Sequence, residues 1–344
     1  MILRREGSKH KRGGAVLLDV IAFGEALVYL SSTTPGSLEE GDVFAKAPAG
    51  APGTVAVAVV RLGGTAGLIC KAGNDAFGRF LKRSYTAEGV DTSHFLLDPN
   101  VRTGIAFTAA NSGGERDFQF YFDPELEVSL TPGETDRRYI ADAHVFHFGT
   151  MSLVAEPARS ATWAAVEAAS VGKTLIAFDP NLRLSLWHSE AAVRDQIFAA
   201  LGRAHVVKLS EAELQFLYPG QDVDAVQRLL SDFANVRLVA VTYGAGGSVA
   251  CTRKQEIMVR GFPMASVDTM GAGDAFTGAF LLYVGRICSE PAALDDLPRE
   301  KLREAVRVAN ATGALVTAKL GTTAALPTAA EIQSILLGAR HADD

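Results

Sequence analysis

Short runs of apolar and β-branched residues alternate along this chain with longer segments that have helical periodicity. The strand-like runs are residues 18–23, 145–148, 175–178 and 206–209, and the helical segments after them are residues 54–62, 158–169, 191–201 and 211–217. This alternation predicts βα units, and hence a mostly parallel sheet that helices cover on both faces. Ligand sites in such folds lie at the carboxyl ends of the strands, where this chain places Glu25, Asp179 and Lys208.

Two segments, residues 29–52 and 101–122, interrupt the alternation because they are strand-like and contain no helical pattern. In the second segment, residues 104–109 and 116–122 flank the turn sequence Asn111-Ser112-Gly113-Gly114, which predicts a β-hairpin. Long surface loops are the alternative. The β-branched and aromatic residues of both segments favour a small β-sheet that covers the mouth of the α/β core as a lid.

The predicted fold is therefore a three-layer α/β/α core with a mostly parallel central sheet and a small β-sheet lid. The core comprises residues 15–28, 53–100 and 123–330, and the lid comprises residues 29–52 and 101–122. Residues 1–14, which are rich in Lys and Arg, are expected to form a disordered tail. Residues 331–344 are expected to be a helix end and a C-terminal tail.

The composition favours small-molecule chemistry. The formal net charge of -6 over 344 residues argues against a nucleic-acid or membrane-surface binder, because such proteins depend on a basic face. Cys70, Cys251 and Cys288 lie far apart and lack metal-ligand spacing, so we expect free thiols in a reducing compartment, the cytoplasm, and no structural zinc. No apolar stretch reaches the length that a membrane span requires.

A glycine-rich turn precedes an apolar helix near the C-terminal third of the chain. Gly271 and Gly273 allow the backbone to turn sharply, and the free N–H groups of the following first helical turn can bind a phosphate. A carboxylate beside a phosphate repels it, so Asp274 is predicted to have another task, which is to take a proton from a substrate hydroxyl. A helix cap is the alternative role for Asp274.

A second glycine cluster, Gly244-Ala245-Gly246-Gly247, follows a strand-like run but does not fit a dinucleotide-binding fingerprint. That fingerprint requires a helix directly after the glycines, whereas residues 248–252 and 256–259 predict a β-hairpin. A pyridine-nucleotide oxidoreductase is therefore disfavoured. A P-loop enzyme is also disfavoured, because the sequence contains no GxxxxGK[ST] motif.

Several further motifs occur in the order found in the ribokinase-like, or PfkB, carbohydrate kinases. They are Gly50-Ala51-Pro52, Arg61-Leu62-Gly63-Gly64, residues 71–78, residues 179–183 and residues 208–213. With the segment around Asp274, they give the chain a resemblance to this family over residues 18–330, and within the family to fructokinases. The resemblance implies a ribokinase-like fold and transfer of the γ-phosphoryl group of ATP to a sugar hydroxyl, with fructose 6-phosphate as the expected product.

The resemblance also implies a role for each matching residue. Asp274 would be the general base, while the N–H groups of Gly271, Ala272 and Gly273 would stabilise charge on the transferring phosphoryl group. The residues expected to bind the sugar are Gly50, Ala51, Thr54, Arg183 and Asp274. A solvated surface charge is the alternative for Arg183.

On the nucleotide side, the residues expected to bind ATP are Lys208, Ser210, Thr242, Gly244, Gly247, Asn310 and Gly313. Lys208 could instead be a surface charge, and Asn310 could be a polar packing residue of its helix. Glu213 matches the family's element that organises Mg²⁺ through water, although Ser210 replaces the usual Asn. Support of the helix is the alternative for Glu213.

A monovalent cation, K⁺, is a further expected ion, with Asp268 and the loop of residues 319–323 near it. The expected partner is a small-molecule sugar, with no nucleic acid and no membrane. The lids of relatives often pair, which leaves a homodimer through the lid as the expected assembly.

The sugar side departs from the fructokinase pattern. Tyr29 stands where an Asp is usual, Thr54 replaces an Asn, and Phe122 replaces an Arg. A site that loses groups for hydroxyls loses affinity and discrimination. Two alternatives to a fructokinase therefore stay open: a kinase for another sugar, and a catalytically idle nucleotide-binding subunit, although the intact segment around Asp274 favours the enzyme.

Overall fold

The structure, a computed structural model, describes residues 11–12, 15–34, 36–110, 116–124, 128–220 and 224–340. Most of the predicted disordered tail, the turn sequence Asn111-Ser112-Gly113-Gly114 and residues 341–344 lie outside the described residues. Among the described residues, no helix is both long enough and apolar enough to cross a membrane.

The strands are β1 (Lys11–Arg12), β2 (Ala15–Val16), β3 (Leu18–Phe23), β4 (Leu27–Ser32), β5 (Phe44–Ala49), β6 (Ala66–Gly73), β7 (Phe95–Asp98), β8 (Gly104–Ala110), β9 (Arg116–Tyr121), β10 (Ala143–Phe148), β11 (Leu175–Phe178), β12 (Val206–Ser210), β13 (Leu238–Thr242), β14 (Gly247–Cys251) and β15 (Glu256–Arg260). The α-helices are α1 (Ala51–Arg61), α2 (Ala76–Ala87), α3 (Arg137–Ala141), α4 (Ala158–Ser170), α5 (Glu190–Leu201), α6 (Glu211–Leu217), α7 (Ala225–Asp232), α8 (Ala272–Ile287), α9 (Arg299–Thr317) and α10 (Ala329–Arg340).

Nine strands form the large sheet in the order β15-β14-β13-β12-β11-β10-β3-β6-β7. All neighbours from β13 to β7 pair in parallel, whereas β14 and β15 form the antiparallel hairpin that the sequence predicts. Parallel neighbours require crossover connections, and the helices that provide them cover both faces of the sheet. The predicted fold class, an α/β core with a mostly parallel sheet and a smaller β-sheet, is confirmed.

Alternate residues of the strands point into two apolar layers. In β3, Val20 and Ala22 belong to the layer that contains α1, α8 and α9, while Ile21 and Phe23 belong to the layer that contains α4 and α5. Because side chains alternate across a strand, a run of apolar residues with no polar interruption is what a strand buried on both faces needs.

The smaller sheet has four strands in the order β5-β4-β8-β9. β4 and β8 pair in parallel, and the flanking pairs are antiparallel. Its inner face is apolar, with Leu27, Ala49 and Ala106 buried together and Phe120 and Phe122 packed against them. The limits of core and lid given by the sequence remain a prediction, as does the movement that the word lid implies.

The helices α1 and α8 approach each other closely at Gly278. A Cβ atom at Gly278 would lie 2.7 Å from the carbonyl oxygen of Val55 and 2.8 Å from the Cβ of Ala58. The absence of a side chain at this position therefore sets the distance between the two helices. Their N-terminal ends carry Ala51 and Asp274, so this contact also positions the site.

Candidate active site

The helix α8 begins at a left-handed turn. Gly271 has φ 77°, a conformation that favours glycine, and it precedes the first helical residue, Ala272. The first N–H groups of a helix lack acceptors within that helix, so this end of α8 suits a phosphate. The N–H of Ala272 donates to the Thr269 carbonyl oxygen at 3.3 Å. An anion that binds all three N–H groups predicted from the sequence has to displace this contact.

The carboxylate of Asp274 lies in the first turn of α8 and faces the cleft. Its Oδ1 accepts a hydrogen bond of 3.1 Å from Nδ2 of Asn181, which adopts the left-handed conformation at φ 43°. Burial in the cleft and the nearby Asp179 carboxylate raise the pKa of Asp274 to about 6, against the opposing influence of Lys208 and Arg183. A carboxylate with this pKa is ionised at neutral pH and can accept a proton from a hydroxyl.

Asp179 and Lys208 form a buried ion pair near Asp274. The distance from Lys208 Nζ to Asp179 Oδ2 is 3.3 Å, and Oγ1 of Thr277 donates to the same carboxylate oxygen at 2.9 Å. Burial alone would lower the pKa of Lys208, but the surrounding carboxylates, Asp179 first among them, outweigh burial and raise it. Lys208 is therefore a fixed positive charge, and a side chain at Gly273 would begin only 3.4 Å from its Nζ.

A first cavity, here called the acceptor cavity, opens between this network and the smaller sheet. The ionisable and polar side chains that line its core side are Glu25, His147, Asp179, Asn181, Arg183 and Asp274. The aromatic side chains that line its other side are Tyr29, Phe118 and Phe120. Phe118 contacts the Tyr29 ring edge-on at 6.3 Å between centroids, and its ring stacks with that of Phe120 at 6.1 Å. The cavity is thus polar towards the core and aromatic towards the smaller sheet.

All residues predicted to bind the sugar line this cavity: Gly50, Ala51, Thr54, Arg183 and Asp274. The hydroxyl of Thr54 donates to the Gly50 carbonyl oxygen at 3.2 Å, so its hydrogen is already engaged by the backbone. Arg183 is exposed, and its Nη1 donates to the Leu182 carbonyl oxygen at 3.0 Å.

The outcome for Phe122 differs from the expectation that it lies in the pocket. It is not among the residues that line the acceptor cavity. Its ring packs against Gly104 so closely that a Cβ at Gly104 would lie 2.2 Å from Phe122 Cδ2. The aromatic wall comes instead from Phe120 and Phe118, which lie in β9 two and four residues earlier in the chain.

Glu25 contributes a further carboxyl group to the acceptor cavity. The sequence predicted only that it lies at the carboxyl end of a strand, and assigned it no role. Its Oε1 accepts a hydrogen bond of 3.0 Å from the N–H of Ala51. Burial raises the pKa of Glu25 to about 7, and the Asp274 carboxylate adds to this effect. The adjoining backbone needs glycine, because Gly50 has φ 111° and a Cβ there would lie 2.7 Å from the Glu25 carbonyl oxygen.

A second cavity, here called the nucleotide cavity, lies on the other side of the start of α8. The predicted nucleotide-binding residues that line it are Ser210, Thr242, Gly244, Gly247, Asn310 and Gly313. Lys208 lines the passage between the two cavities instead, together with Gly271, Gly273 and Asp274. The sequence missed the apolar residues Phe262 and Met264 of this cavity, because they lie in a segment without regular secondary structure.

Asn310 is fixed by protein contacts on both ends of its amide. Its Oδ1 accepts from Ser248 Oγ at 2.8 Å, and its Nδ2 donates to the Val259 carbonyl oxygen at 3.0 Å. These bonds attach α9 to the hairpin β14–β15, so Asn310 also has the packing role that the sequence left open. Gly313 lets α9 approach α8, since a Cβ there would lie 3.1 Å from the Ala272 carbonyl oxygen.

Glu213 and Ser210 form a capping box at the start of α6. The N–H and Oγ of Ser210 donate to Glu213 Oε2 at 2.7 and 2.8 Å, and the N–H of Leu182 donates to Oε1 at 2.8 Å. In the described part of the chain, no group of three or more His, Cys, Asp or Glu residues could hold a metal ion. The Glu213 carboxylate thus accepts three protein hydrogen bonds, which leaves acceptor capacity on Oε1 for a water molecule.

Asp268 joins two loops beside the nucleotide cavity. Its Oδ1 accepts from the N–H of Met270 at 2.8 Å and its Oδ2 from the N–H of Gly321 at 3.1 Å. The next residue, Thr322, donates from Oγ1 to the carbonyl oxygen of Pro48 in β5 at 2.7 Å. The loop of residues 319–323 is therefore bonded both to the segment before α8 and to the smaller sheet.

Three comparisons with known proteins agree with this architecture. The sequence profile of the pfkB family carbohydrate kinases matches residues 17–329. The chain is 41% identical to probable fructokinase-4 of Arabidopsis thaliana over 320 residues, covering 93% of this chain and 97% of that protein. It is 42% identical to fructokinase-1 of Zea mays over 320 residues, covering 92% and 97%.

Solved structures of bacterial fructokinases are similar as well. Fructokinase from Vibrio cholerae O395 with fructose, ADP and calcium ion bound has a TM-score of 0.81 and 33% identity, covering 92% of this chain and 98% of that one. Fructokinase from Xylella fastidiosa with bound ATP has a TM-score of 0.84 and 30% identity, covering 94% and 100%.

Proposed function

Because the chain belongs to the PfkB family of carbohydrate kinases, we propose that it transfers the γ-phosphoryl group of ATP to a hydroxyl of fructose, giving fructose 6-phosphate and ADP. The curated relatives at about 41% identity are fructokinases, and solved relatives bind fructose with ADP, or ATP. The ribokinase-like fold and the two cavities agree with this proposal.

The observation that carries the proposal is the position of Asp274. Its carboxylate lines the acceptor cavity and the passage to the nucleotide cavity, with Gly273 beside it facing the nucleotide side. A base at this point can reach a hydroxyl in one cavity while the phosphoryl group arrives from the other. A helix cap alone would not require a cavity on each side.

In the proposed reaction, the Asp274 carboxylate takes the proton of the sugar hydroxyl as its oxygen bonds to the γ-phosphorus. The bond from that phosphorus to the bridging oxygen breaks, and ADP leaves. Asn181 orients the carboxylate, and Lys208 with the N–H groups of residues 271–273 stabilises the negative charge on the transferring group. A base placed this way contributes about 10²–10⁴-fold in rate, and one donor to the developing charge about 10²–10³-fold.

We further propose that Mg²⁺ accompanies ATP, with Glu213 holding it through water and Ser210 nearby. The ion would supply neutralisation of phosphate charge. For K⁺, the proposed ligand region is Asp268 with the loop of residues 319–323, which are already bonded to each other. A related protein supports this ion, since a double mutant of the Vibrio cholerae O395 fructokinase has been solved with fructose, ADP and potassium ion bound.

The remaining proposals concern assembly and location. We propose a homodimer through the smaller sheet, in which β9 is an edge strand that carries the exposed side chain of Tyr121. We propose the cytoplasm as location, since Cys70, Cys251 and Cys288 are free and buried thiols.

A kinase for another sugar is the second candidate. Tyr29 and Thr54 line the acceptor cavity at positions where the fructokinase pattern usually has an Asp and an Asn. The Thr54 hydroxyl is hydrogen-bonded to the backbone. Fewer groups are therefore available for sugar hydroxyls on this side of the cavity.

The test is ATP consumption with a panel of ketoses, aldoses, sugar acids and nucleosides, using Asp274→Asn as the control. We expect turnover of fructose, and a loss of about 10²–10⁴-fold in kcat in the variant. Turnover of a different member of the panel would select the second candidate. Bound ATP without turnover of any acceptor would leave a catalytically idle nucleotide-binding subunit and contradict the kinase proposal.

A further inference from the structure

His147 is a buried imidazole that has no hydrogen-bond partner in the described part of the chain. Its side chain is 2% exposed, and this lack of a partner applies to both Nδ1 and Nε2. The residue nonetheless belongs to the lining of the acceptor cavity. Burying a polar group without a partner costs free energy, and a ligand that supplies the partner recovers that cost.

The strand register explains why the ring lies at the cavity. In β10, Phe146 and Phe148 belong to the apolar layer of α4 and α5, so His147 between them points to the opposite face. Its neighbours across the sheet are Ala22 in β3 and Ala177 in β11. These residues are small, so no large side chain of β3 or β11 lies directly beside the imidazole in the sheet.

The charge state of His147 restricts the kind of ligand that suits it. Burial and the nearby Lys208 ammonium lower the pKa of His147 to about 3, so the ring is neutral at physiological pH. A neutral imidazole offers one donor and one acceptor. A hydroxyl matches both, whereas a carboxylate or a phosphate offers acceptors only. The carboxylates of Glu25, Asp179 and Asp274 in the same cavity also disfavour an anionic sugar.

We propose that His147 is a specificity-determining residue that forms a hydrogen bond, through one ring nitrogen, with a sugar hydroxyl other than the one that is phosphorylated. This inference rests on the proposed kinase function and deepens it, since it assigns the acceptor to the neutral polyols. The opposite wall of the cavity consists of Tyr29, Phe118 and Phe120, whose rings can cover the C–H face of a sugar. The hydroxyls of the sugar therefore find most of their partners on the core side, where His147 lies.

The experiment compares His147→Leu, which removes both nitrogens, with His147→Gln, which keeps a donor and an acceptor. For the sugar turned over by the wild type, we expect kcat/KM to fall about 10- to 100-fold in His147→Leu and less in His147→Gln. The KM for ATP should stay within about twofold, because Lys208 and the nucleotide cavity are unchanged. The Tm of His147→Leu should equal or exceed that of the wild type, because the substitution removes unpaired buried nitrogens.

His205→Leu serves as the matched control. His205, directly before β12, is a second neutral histidine, but its Nδ1 accepts a hydrogen bond of 3.1 Å from the N–H of Ile176, and it does not line the acceptor cavity. Its replacement should lower Tm and leave the KM for the sugar unchanged. The two variants thus separate recognition from stability.

Single deoxy analogues of the sugar identify the hydroxyl. For the analogue that lacks this hydroxyl, kcat/KM should already be low in the wild type and fall little further in His147→Leu. For the other analogues, the substitution should lower kcat/KM as much as it does for the parent sugar. An equal loss for all analogues, a parallel rise in the KM for ATP, or wild-type kinetics in His147→Leu would overturn the inference. If the wild type phosphorylates no sugar, the kinase proposal fails, and calorimetric titration with fructose then tests the role of His147 alone. The role of His147 is contradicted if fructose binds wild type and His147→Leu equally, or binds neither.

Discussion

Single residues in the cleft are arranged so that the protonation of one carboxyl group depends on several neighbours. The Asp179 carboxylate opposes ionisation of Asp274, while Lys208 and Arg183 favour it. Asp179 is itself paired with Lys208 at 3.3 Å, so the two opposing influences come from one buried ion pair with no net charge. A base with a pKa near 6 results, close to the range in which a general base works best at neutral pH.

The pH dependence follows from this arrangement. Only ionised Asp274 can accept the proton, so kcat/KM should fall as the pH drops through about 6. Arg183 favours the ionised form, and its removal in Arg183→Gln raises the pKa of Asp274. The acid limb of the profile should then move to higher pH by about 0.2–0.7 unit at low salt, and by less at high salt.

The matched control is Arg203→Gln, which removes an exposed arginine outside the acceptor cavity. Glu25→Gln distinguishes the titration of Asp274 from that of Glu25, because burial raises the pKa of Glu25 to about 7 in the same cavity. A limb that stays in place in Arg183→Gln, or that disappears in Glu25→Gln, would show that Asp274 is not the group being observed.

The residues that the sequence predicts best are those with a local signature. Gly271 and Asp274 belong to one turn and one helix start, so spacing alone brings them together. His147 and Phe118 have no such signature, because they face the cavity only after β10 and β9 of different sheets have been assembled. Phe122 illustrates the same limit: its ring packs against Gly104, which is distant in sequence, and it does not line the acceptor cavity.

At the scale of elements, the contact between α1 and α8 determines how the two sides of the site face each other. Gly278→Ala places a methyl group 2.7 Å from the carbonyl oxygen of Val55, which the backbone of α1 has to accommodate. We expect a loss of about 1–3 kcal/mol in the free energy of unfolding, measured by denaturant titration. The kcat should fall as well, because α8 carries Asp274.

Gly338→Ala makes the same substitution in α10, where an added Cβ meets no atom within 4 Å. Since alanine favours a helix over glycine, this variant should be neutral or more stable by about 0.5–1 kcal/mol. Equal stabilities of the two variants would contradict the view that close packing at Gly278 sets the helix distance.

Element types were predictable where the periodicity was strong, and their ends were less so. The strand β3 and the helix α6 occupy the predicted residues 18–23 and 211–217. The helix α1 begins at Ala51, three residues before the predicted start, because Pro52 is tolerated in a first helical turn where no N–H partner is needed. The spacing of apolar residues, from which the helix was predicted, does not reveal that a proline can belong to the first turn.

For the molecule as a whole, the smaller sheet stands over a cavity whose other side belongs to the large sheet. Closure of the smaller sheet over a sugar should reduce its local opening. We expect fructose with ADP to slow amide hydrogen exchange in β8 and β9, measured by mass spectrometry. The edge strand β15 of the large sheet does not line the acceptor cavity and serves as the internal reference. Unchanged exchange in β8 and β9 at saturating ligand would contradict closure.

The hydrogen bond from Thr322 to Pro48 connects the loop beside the nucleotide cavity with the smaller sheet that lines the acceptor cavity. The same loop is held at Gly321 by Asp268, next to the nucleotide cavity, and at Thr322 by a strand of the smaller sheet. Anything that restrains this loop, an ion included, also restrains the sheet that covers the acceptor. The binding free energies of the sugar and of a ligand at the loop are then coupled, and such coupling is reciprocal. A bound sugar strengthens binding at the loop by the same factor by which a ligand at the loop strengthens binding of the sugar.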